Sequence, residues 1–142
     1  MLDVRFIVEN LSLVKKNLEN RQIKDCSILD EINDLYKKIK ELSSSADNLK
    51  NERNLLSKQI GNLKAQKQDA TELLVKVKDL PERIKKIDDE IKELEQRERR
   101  LLLNIPNILD AATPIGVDAT QNVVVSTFGE QPKFDFQVKQ HW

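Results

Sequence analysis

The sequence predicts an all-α fold: a long antiparallel two-helix coiled-coil hairpin with short N-terminal helices at its base and a C-terminal strand-containing tail. Three observations carry this prediction. Charged residues make up 34% of the 142 residues and aromatic residues only 4%, a composition typical of solvated helices. Two series of apolar residues keep the alternating steps of three and four that a coiled-coil seam requires. A polar stretch, KAQKQDATE (64–72), separates the two series.

The N-terminal residues predict two short helices within about 3–20. Asp3 and Asn10 are residue types suited to the N-cap position of each helix. The apolar residues of this segment are spaced so that they can form one cluster: Phe6, Ile7, Leu11, Val14 and Leu18.

Two long helices follow, over about 28–66 and about 70–104, with the tip of the hairpin at about 65–71. The first seam comprises Ile28, Ile32, Leu35, Ile39, Leu42, Ala46, Leu49, Arg53, Leu56, Ile60 and Leu63. The second comprises Leu73, Val77, Leu80, Ile84, Ile87, Ile91, Leu94, Glu98, Leu101 and Ile105. Since the seams are similar in length and the link is short, we expect them to pack antiparallel.

Two seam positions carry charge. Arg53 either pairs with a neighbouring acid such as Glu82 or emerges at the edge of the seam, because a buried unpaired arginine is too costly to keep. Glu98 is within reach of Lys38.

Pro81 lies inside the second predicted helix. Proline removes a backbone hydrogen bond and costs about 3 kcal/mol in a helix interior. We therefore expect a kink or a short break at 78–81, or a helix that begins there with Asp79 as its cap.

The last part of the chain changes character. Residues 104–121 hold two prolines and a glycine and predict a loop or linker. The β-branched stretch NVVVSTFG (122–129) predicts a strand, and the final residues alternate Phe134 and Phe136 with polar residues.

Basic residues concentrate in the distal half of the hairpin. Residues 50–86 contain ten Lys and Arg and five Asp and Glu, so this part is +5 and the rest of the neutral chain is −5. In an antiparallel pair of helices, the e and b positions of the heptad lie on one flank. The lysines at these positions are Lys50, Lys64, Lys78, Lys85 and Lys92, and Gly61 lies on the same flank at a b position. Such a flank is an ordinary solvated surface, a nucleic-acid interface or a protein interface, and the low aromatic content favours phosphate contact over base stacking if RNA is the partner.

Catalytic and metal-binding patterns are not found in the sequence. Cys26 is the only cysteine and His141 the only histidine, and no Gly-rich phosphate loop or paired-carboxylate motif is visible. No apolar run approaches the roughly 18 residues of a membrane span. We expect a soluble cytoplasmic protein with no catalytic residue and no metal site in this chain.

Five segments, in order, resemble seryl-tRNA synthetase: MLDVRFIVEN…VKKNL, ERNLLSKQIG, LLLNIPNI, TPIGVD and GEQPKFDFQVKQHW. The resemblance covers essentially the whole chain. It implies that 1–108 is a tRNA-binding helical-arm domain and that 109–142 is a linker with the truncated first strands of a class II catalytic domain. The "HW" would then precede the first signature motif, and the motifs that bind ATP and serine are missing, so we expect this piece to be inactive alone.

The resemblance also implies partners. The full-length enzyme would use ATP and Mg²⁺ to attach serine to the tRNA 3′ end, as a homodimer, while the arm grips the long variable stem and elbow of serine tRNA. For this piece we expect a monomer with no cofactor, no membrane and no DNA partner. The residues that we expect to bind tRNA are Lys50, Arg53, Lys58, Lys64, Lys67, Lys78 and Lys85. The alternative is a non-enzymatic coiled-coil hairpin that serves as a protein-interaction or scaffold module, although such a module has no need of the C-terminal tail.

Overall fold

A computed structural model of the protein describes residues 1–141; Trp142, the second residue of the "HW" pair, lies outside the described residues. The elements, in chain order, are α1 (Val4–Glu9), α2 (Leu11–Asn20), α3 (Ser27–Ala65), α4 (Thr71–Lys78), α5 (Leu80–Leu102) and a 3₁₀ helix (Ala119–Gln121). The helical hairpin with short helices at its base is confirmed. No helix among residues 1–141 combines the length and the apolarity that are needed to span a bilayer.

The short helices begin and end where local hydrogen bonds allow. The Asp3 side chain caps α1 by accepting from the backbone N–H groups of Arg5 and Phe6 at 2.8 and 3.3 Å. Asn10 occupies the position before α2 but makes no capping bond, because its amide donates to the Phe6 carbonyl at 2.9 Å instead. The predicted cap by Asp3 is therefore present and that by Asn10 is not.

The core of the molecule lies at the base of the hairpin. It joins α1, α2, the start of α3 and the end of α5 through Ile7, Val14, Leu18, Leu29, Ile32, Leu102 and Ile105. Phe6 and Leu11, also predicted for this cluster, pack against it and are partly buried. A fully buried Leu or Ile contributes about 1.5–3 kcal/mol, so this cluster holds the ends of both arm helices together.

Above the base, α3 and α5 run antiparallel. Arg97 of α5 pairs with Glu31 of α3, and Lys38 Nζ lies 2.7 Å from Glu90 Oε1. Moving seven residues up α3 thus moves the partner seven residues back along α5, the signature of an antiparallel heptad register. Because Lys38 is taken by Glu90, the expected Glu98–Lys38 contact does not form, and Glu98 Oε1 is buried without a hydrogen-bond partner among the described residues.

The returning limb of the hairpin is divided in two. Helix α4 ends at Lys78 and α5 begins at Leu80 with Pro81 in its first turn, where a missing N–H leaves no helical bond unmade. The break predicted at 78–81 is confirmed. Asp79 occupies the N-cap position of α5, as suggested, but its side chain makes no capping hydrogen bond.

The tip turn ends α3 with a left-handed residue. Lys67 has φ of 55°, and the next residue's N–H, that of Gln68, donates to the Leu63 carbonyl at 2.9 Å. This is the Schellman arrangement, in which glycine is the usual left-handed residue and lysine carries a steric cost.

The tail contains no strand within residues 1–141, which corrects the strand predicted at 122–129. Val123, Val124 and Val125 are 64%, 78% and 91% exposed. A strand is stabilised by a hydrogen-bonded neighbour, and the described residues offer none, so β propensity alone does not produce one.

Candidate nucleic-acid interface

The distal half of the hairpin carries the excess of positive charge. It is built from the second half of α3, the tip turn, α4 and the first turns of α5. The apolar seam residues Ile60, Leu80 and Ile84 are at most 8% exposed there, so the long basic side chains are left to the outside.

Ion pairs show which positions share a flank. Lys50 Nζ lies 2.9 Å from Asp88 Oδ1, and both residues take e positions in the heptad lettering. The pairs of Glu31 with Arg97 and of Lys38 with Glu90 join g positions. The e positions of the two helices therefore meet on one side of the rod and the g positions on the other.

The ammonium group of Lys50 already forms an ion pair with Asp88. Its side chain is 39% exposed and its partner Asp88 is 46% exposed. An ion pair this accessible to water is worth about 0–1 kcal/mol, so a phosphate can compete with Asp88 for the ammonium group.

Five of the predicted residues are fully available. Within residues 1–141 none of them forms an ion pair with a carboxylate, and all are exposed: Lys58, Lys64, Lys67, Lys78 and Lys85. Lys67 projects from the left-handed position of the tip turn. Available ammonium groups on a rod are suited to binding a polyanion with little desolvation penalty.

Arg53 is half-buried at the seam and is not paired with Glu82. That glutamate instead pairs with Lys86 at 3.2 Å, one helical turn along α5. Arg53 Nη2 donates to Asn54 Oδ1 at 3.4 Å, a weak contact with a sequence neighbour. Of the two interpretations of Arg53, the pairing with Glu82 is wrong and the seam-edge position is consistent with the coordinates.

Gly61 adds a bare stretch of backbone to α3. A Cβ placed on this residue would meet no atom within 4 Å. The absence of a side chain is therefore not a packing requirement within this chain, and the space above the helix is open to a ligand.

One acid at the tip remains firmly ionised. The Thr71 hydroxyl and the Thr71 backbone N–H both donate to Asp69. These two bonds, the hydroxyl bond more strongly than the backbone bond, lower the pKa of the Asp69 carboxyl. Its negative charge partly offsets the lysines around the tip turn.

Two further exposed cations of the same region, Lys76 and Arg83, are not among the residues predicted from the sequence to bind tRNA. The heptad lettering places both at g positions, on the flank opposite Lys50. The ten-to-five charge count was the signal that included them. No group of His, Cys, Asp or Glu among residues 1–141 is arranged to hold a metal ion.

Residues 1–109 match the family described as Seryl-tRNA synthetase N-terminal domain. This chain belongs to that family. The serine–tRNA ligase of Aliarcobacter butzleri is 32% identical over 142 residues, which are 100% of this chain and 34% of that protein. The serine–tRNA ligase of Macrococcus caseolyticus is 37% identical over the same 142 residues, 33% of its length.

A solved structure has the same fold. The seryl-tRNA synthetase from Pyrococcus horikoshii, complexed with ATP, superposes with a TM-score of 0.77 at 31% identity over 87% of this chain and 28% of that one. The chain thus spans about a third of the length of the curated relatives that it matches. The resemblance to seryl-tRNA synthetase drawn from the sequence is confirmed.

Proposed function

We propose that residues 1–108 form the tRNA-binding arm of a serine–tRNA ligase and that 109–142 form the linker and the start of its class II catalytic domain. Membership of the N-terminal domain family supports this proposal. The single structural observation that carries it is the set of exposed lysines on the distal hairpin that form no ion pair among residues 1–141, which offers a polyanion a basic rod.

The arm grips the long variable stem and elbow of serine tRNA. A helical rod poor in aromatics contacts phosphates and 2′-hydroxyls, which matches what double-stranded RNA displays in its shallow groove. The interface consists of Lys50, Arg53, Lys58, Lys64, Lys67, Lys78 and Lys85. Recognition is therefore by shape and charge rather than by base sequence.

The remaining features belong to the whole enzyme. It attaches serine to the tRNA 3′ end with ATP and Mg²⁺, acts as a homodimer and resides in the cytoplasm. ATP is bound in the solved structure from Pyrococcus horikoshii. The piece described here works as a monomeric RNA-binding arm, and no step assigned to it involves a metal or a nucleotide. The scaffold alternative has no observation in its favour beyond the coiled coil itself.

Filter binding of this chain to serine tRNA, against a tRNA with a short variable loop, tests the proposal. Replacing Lys64, Lys78 and Lys85 by glutamate should weaken binding by about tenfold or more. The slope of log affinity against log salt should also decrease, by an amount that corresponds to the loss of up to about three phosphate contacts. The matched control carries the same charge change at the base of the hairpin: Lys15→Glu, Lys24→Glu and Lys40→Glu. Equal affinity for the two tRNAs would reject the function, whereas equal effects of the two triple variants would reject the distal interface.

Arg53 provides a separate test. Arg53→Met should reduce tRNA affinity about threefold to tenfold, as expected for one lost phosphate contact, while the helical melting temperature stays within a few degrees. Unchanged affinity would remove Arg53 from the interface.

A further inference from the structure

The chain that leaves α5 is fastened to the base of the hairpin for five residues. Ile105 is 4% exposed in the core, and Ile108 packs against the same core. From Asp110 onward no described residue is buried. Residues 105–109 are thus the last part of the chain that the arm domain holds in place.

Asn17 of α2 makes the polar part of this attachment. It is the one buried polar side chain among the described residues, at 5% exposure. Its Nδ2 donates to the Asn107 carbonyl at 3.3 Å, and its Oδ1 accepts from the Leu109 N–H at 2.8 Å. The side-chain amide binds residues 105–109, the exit segment, as a peptide group of a neighbouring strand would, since both its N–H and its oxygen are used.

Arg21, the C-cap residue directly after α2, adds a second donor. Its Nη2 donates to the same Asn107 carbonyl at 2.9 Å. The guanidinium is exposed, and no carboxylate among residues 1–141 pairs with it. One side chain of α2 and the side chain of its C-cap residue therefore both bind one peptide group of a segment 86 to 90 residues away.

These bonds fix orientation rather than supply most of the stability. The core already holds α2 against α3 and α5 through Val14 and Leu18. Pro106 prevents the helix from continuing, so residues 105–109 have no helix or strand to direct them. The Asn17 amide specifies that direction, because it requires a carbonyl at 107 and an N–H at 109 at the same time.

We propose that Asn17 and Arg21 are positioning residues that set the direction in which the chain leaves the arm domain. Their importance for aminoacylation rests on the proposed function. An arm that holds tRNA delivers its 3′ end to a constant place only if the joint between the arm and the following domain is constant. The direction of the exit segment itself can be measured without any tRNA.

The test measures the joint in this chain. Spin labels at Glu41 of α3 and at Ala112 beyond the attachment, in a Cys26→Ser background, report the distance distribution between rod and exit. Hydrogen exchange at the Leu109 amide reports the attachment itself. Both are compared between the parent chain and three variants: Asn17→Asp, Arg21→Met and, as a control on the same helix, Asn20→Ala.

Asn17→Asp keeps the acceptor for the Leu109 N–H but turns the donor into an oxygen that faces the Asn107 carbonyl. We expect a distance distribution about twice as wide and exchange at Leu109 about tenfold faster, with a smaller effect from Arg21→Met and none from Asn20→Ala. Unchanged width and exchange in both variants, with helical circular dichroism intact, would overturn the proposal. If Asn17→Asp loses its helical signal, the exposed Arg21→Met decides by the same two measurements.

Affinity for serine tRNA, measured on the same variants, separates the two proposals. The distal lysines are untouched, so affinity should match that of the parent chain. If the parent chain does not bind serine tRNA, the proposed function is contradicted but the proposal that Asn17 and Arg21 direct the exit segment is not affected. If the chain binds serine tRNA but the distance distribution and the Leu109 exchange are unchanged in the variants, the proposal on Asn17 and Arg21 is contradicted and the proposed function is not.

Discussion

Replacing the seam carboxylate Glu98 should stabilise the hairpin. Glu98 occupies a position that isoleucine, leucine or valine fills elsewhere in the second seam, and its Oε1 is buried with no hydrogen-bond partner among residues 1–141. Burial, followed by the charges of Glu95 and Asp3, raises the pKa of the Glu98 carboxyl. The charged form is thus disfavoured by the fold in which it sits.

The magnitude follows from two contributions. An unsatisfied buried polar atom costs about 1–3 kcal/mol, and the lower end applies because the side chain as a whole is only partly buried. A leucine at a half-buried seam position adds about 1 kcal/mol of apolar burial. Glu98→Leu should therefore raise the free energy of unfolding by about 2 kcal/mol, and Glu98→Gln, which removes only the charge, by about 0.5–1 kcal/mol.

The effect should depend on pH. Because the pKa of Glu98 is raised in the folded state, the protonated form favours folding below the reference value of 4.5, and this contribution is lost as pH rises through the folded pKa. Urea denaturation of the parent chain and Glu98→Gln at pH about 7.5 and about 4 should show a gap that shrinks on acidification. Exposed Glu93→Gln is the control. A gap independent of pH, or a destabilising Glu98→Leu, would refute the reasoning.

Three other changes test the base, the tip and the surface. Ile32→Ala, in the fully buried core, should lower the free energy of unfolding by about 2–5 kcal/mol in urea denaturation, and a smaller loss would mean that the base repacks. Lys67→Gly should raise it by about 0.5–1 kcal/mol, measured by thermal melting, because glycine relieves the left-handed strain; a loss would contradict the tip geometry. Glu31→Gln, which breaks the exposed pair with Arg97, should cost less than about 1 kcal/mol in the same urea assay, and a larger cost would show that this pair fixes the register.

The arm was predictable because its information is local and repeated. Steps of three and four over two long stretches define both helices, and Pro81 alone predicts the break between α4 and α5. Individual contacts were less accessible. Lys38 pairs with Glu90 rather than Glu98, a choice about two turns along α5 that the seam pattern does not resolve.

Contacts between distant residues outside the two seams could not be predicted from the sequence. In the sequence nothing distinguishes Asn17 from any other polar residue of a short helix. Its hydrogen-bond partners, Asn107 and Leu109, lie 90 and 92 residues away. The valines at 123–125 carry a strong strand propensity, but a strand depends on a neighbour that the described residues do not supply. For the candidate interface, the charge count identified the region, whereas the engagement of Lys50 by Asp88 required coordinates.

The division of the returning limb at Asp79 also affects the mechanics of the rod. On both sides of Asp79 two helices pack together, α5 on α3 nearer the base and α4 on α3 further out, but at Asp79 itself only α3 is continuous. A doubled beam is several times stiffer than a single one. The rod therefore bends most easily at Asp79, and the part beyond it can tilt there to follow the curvature of the surface against which it rests.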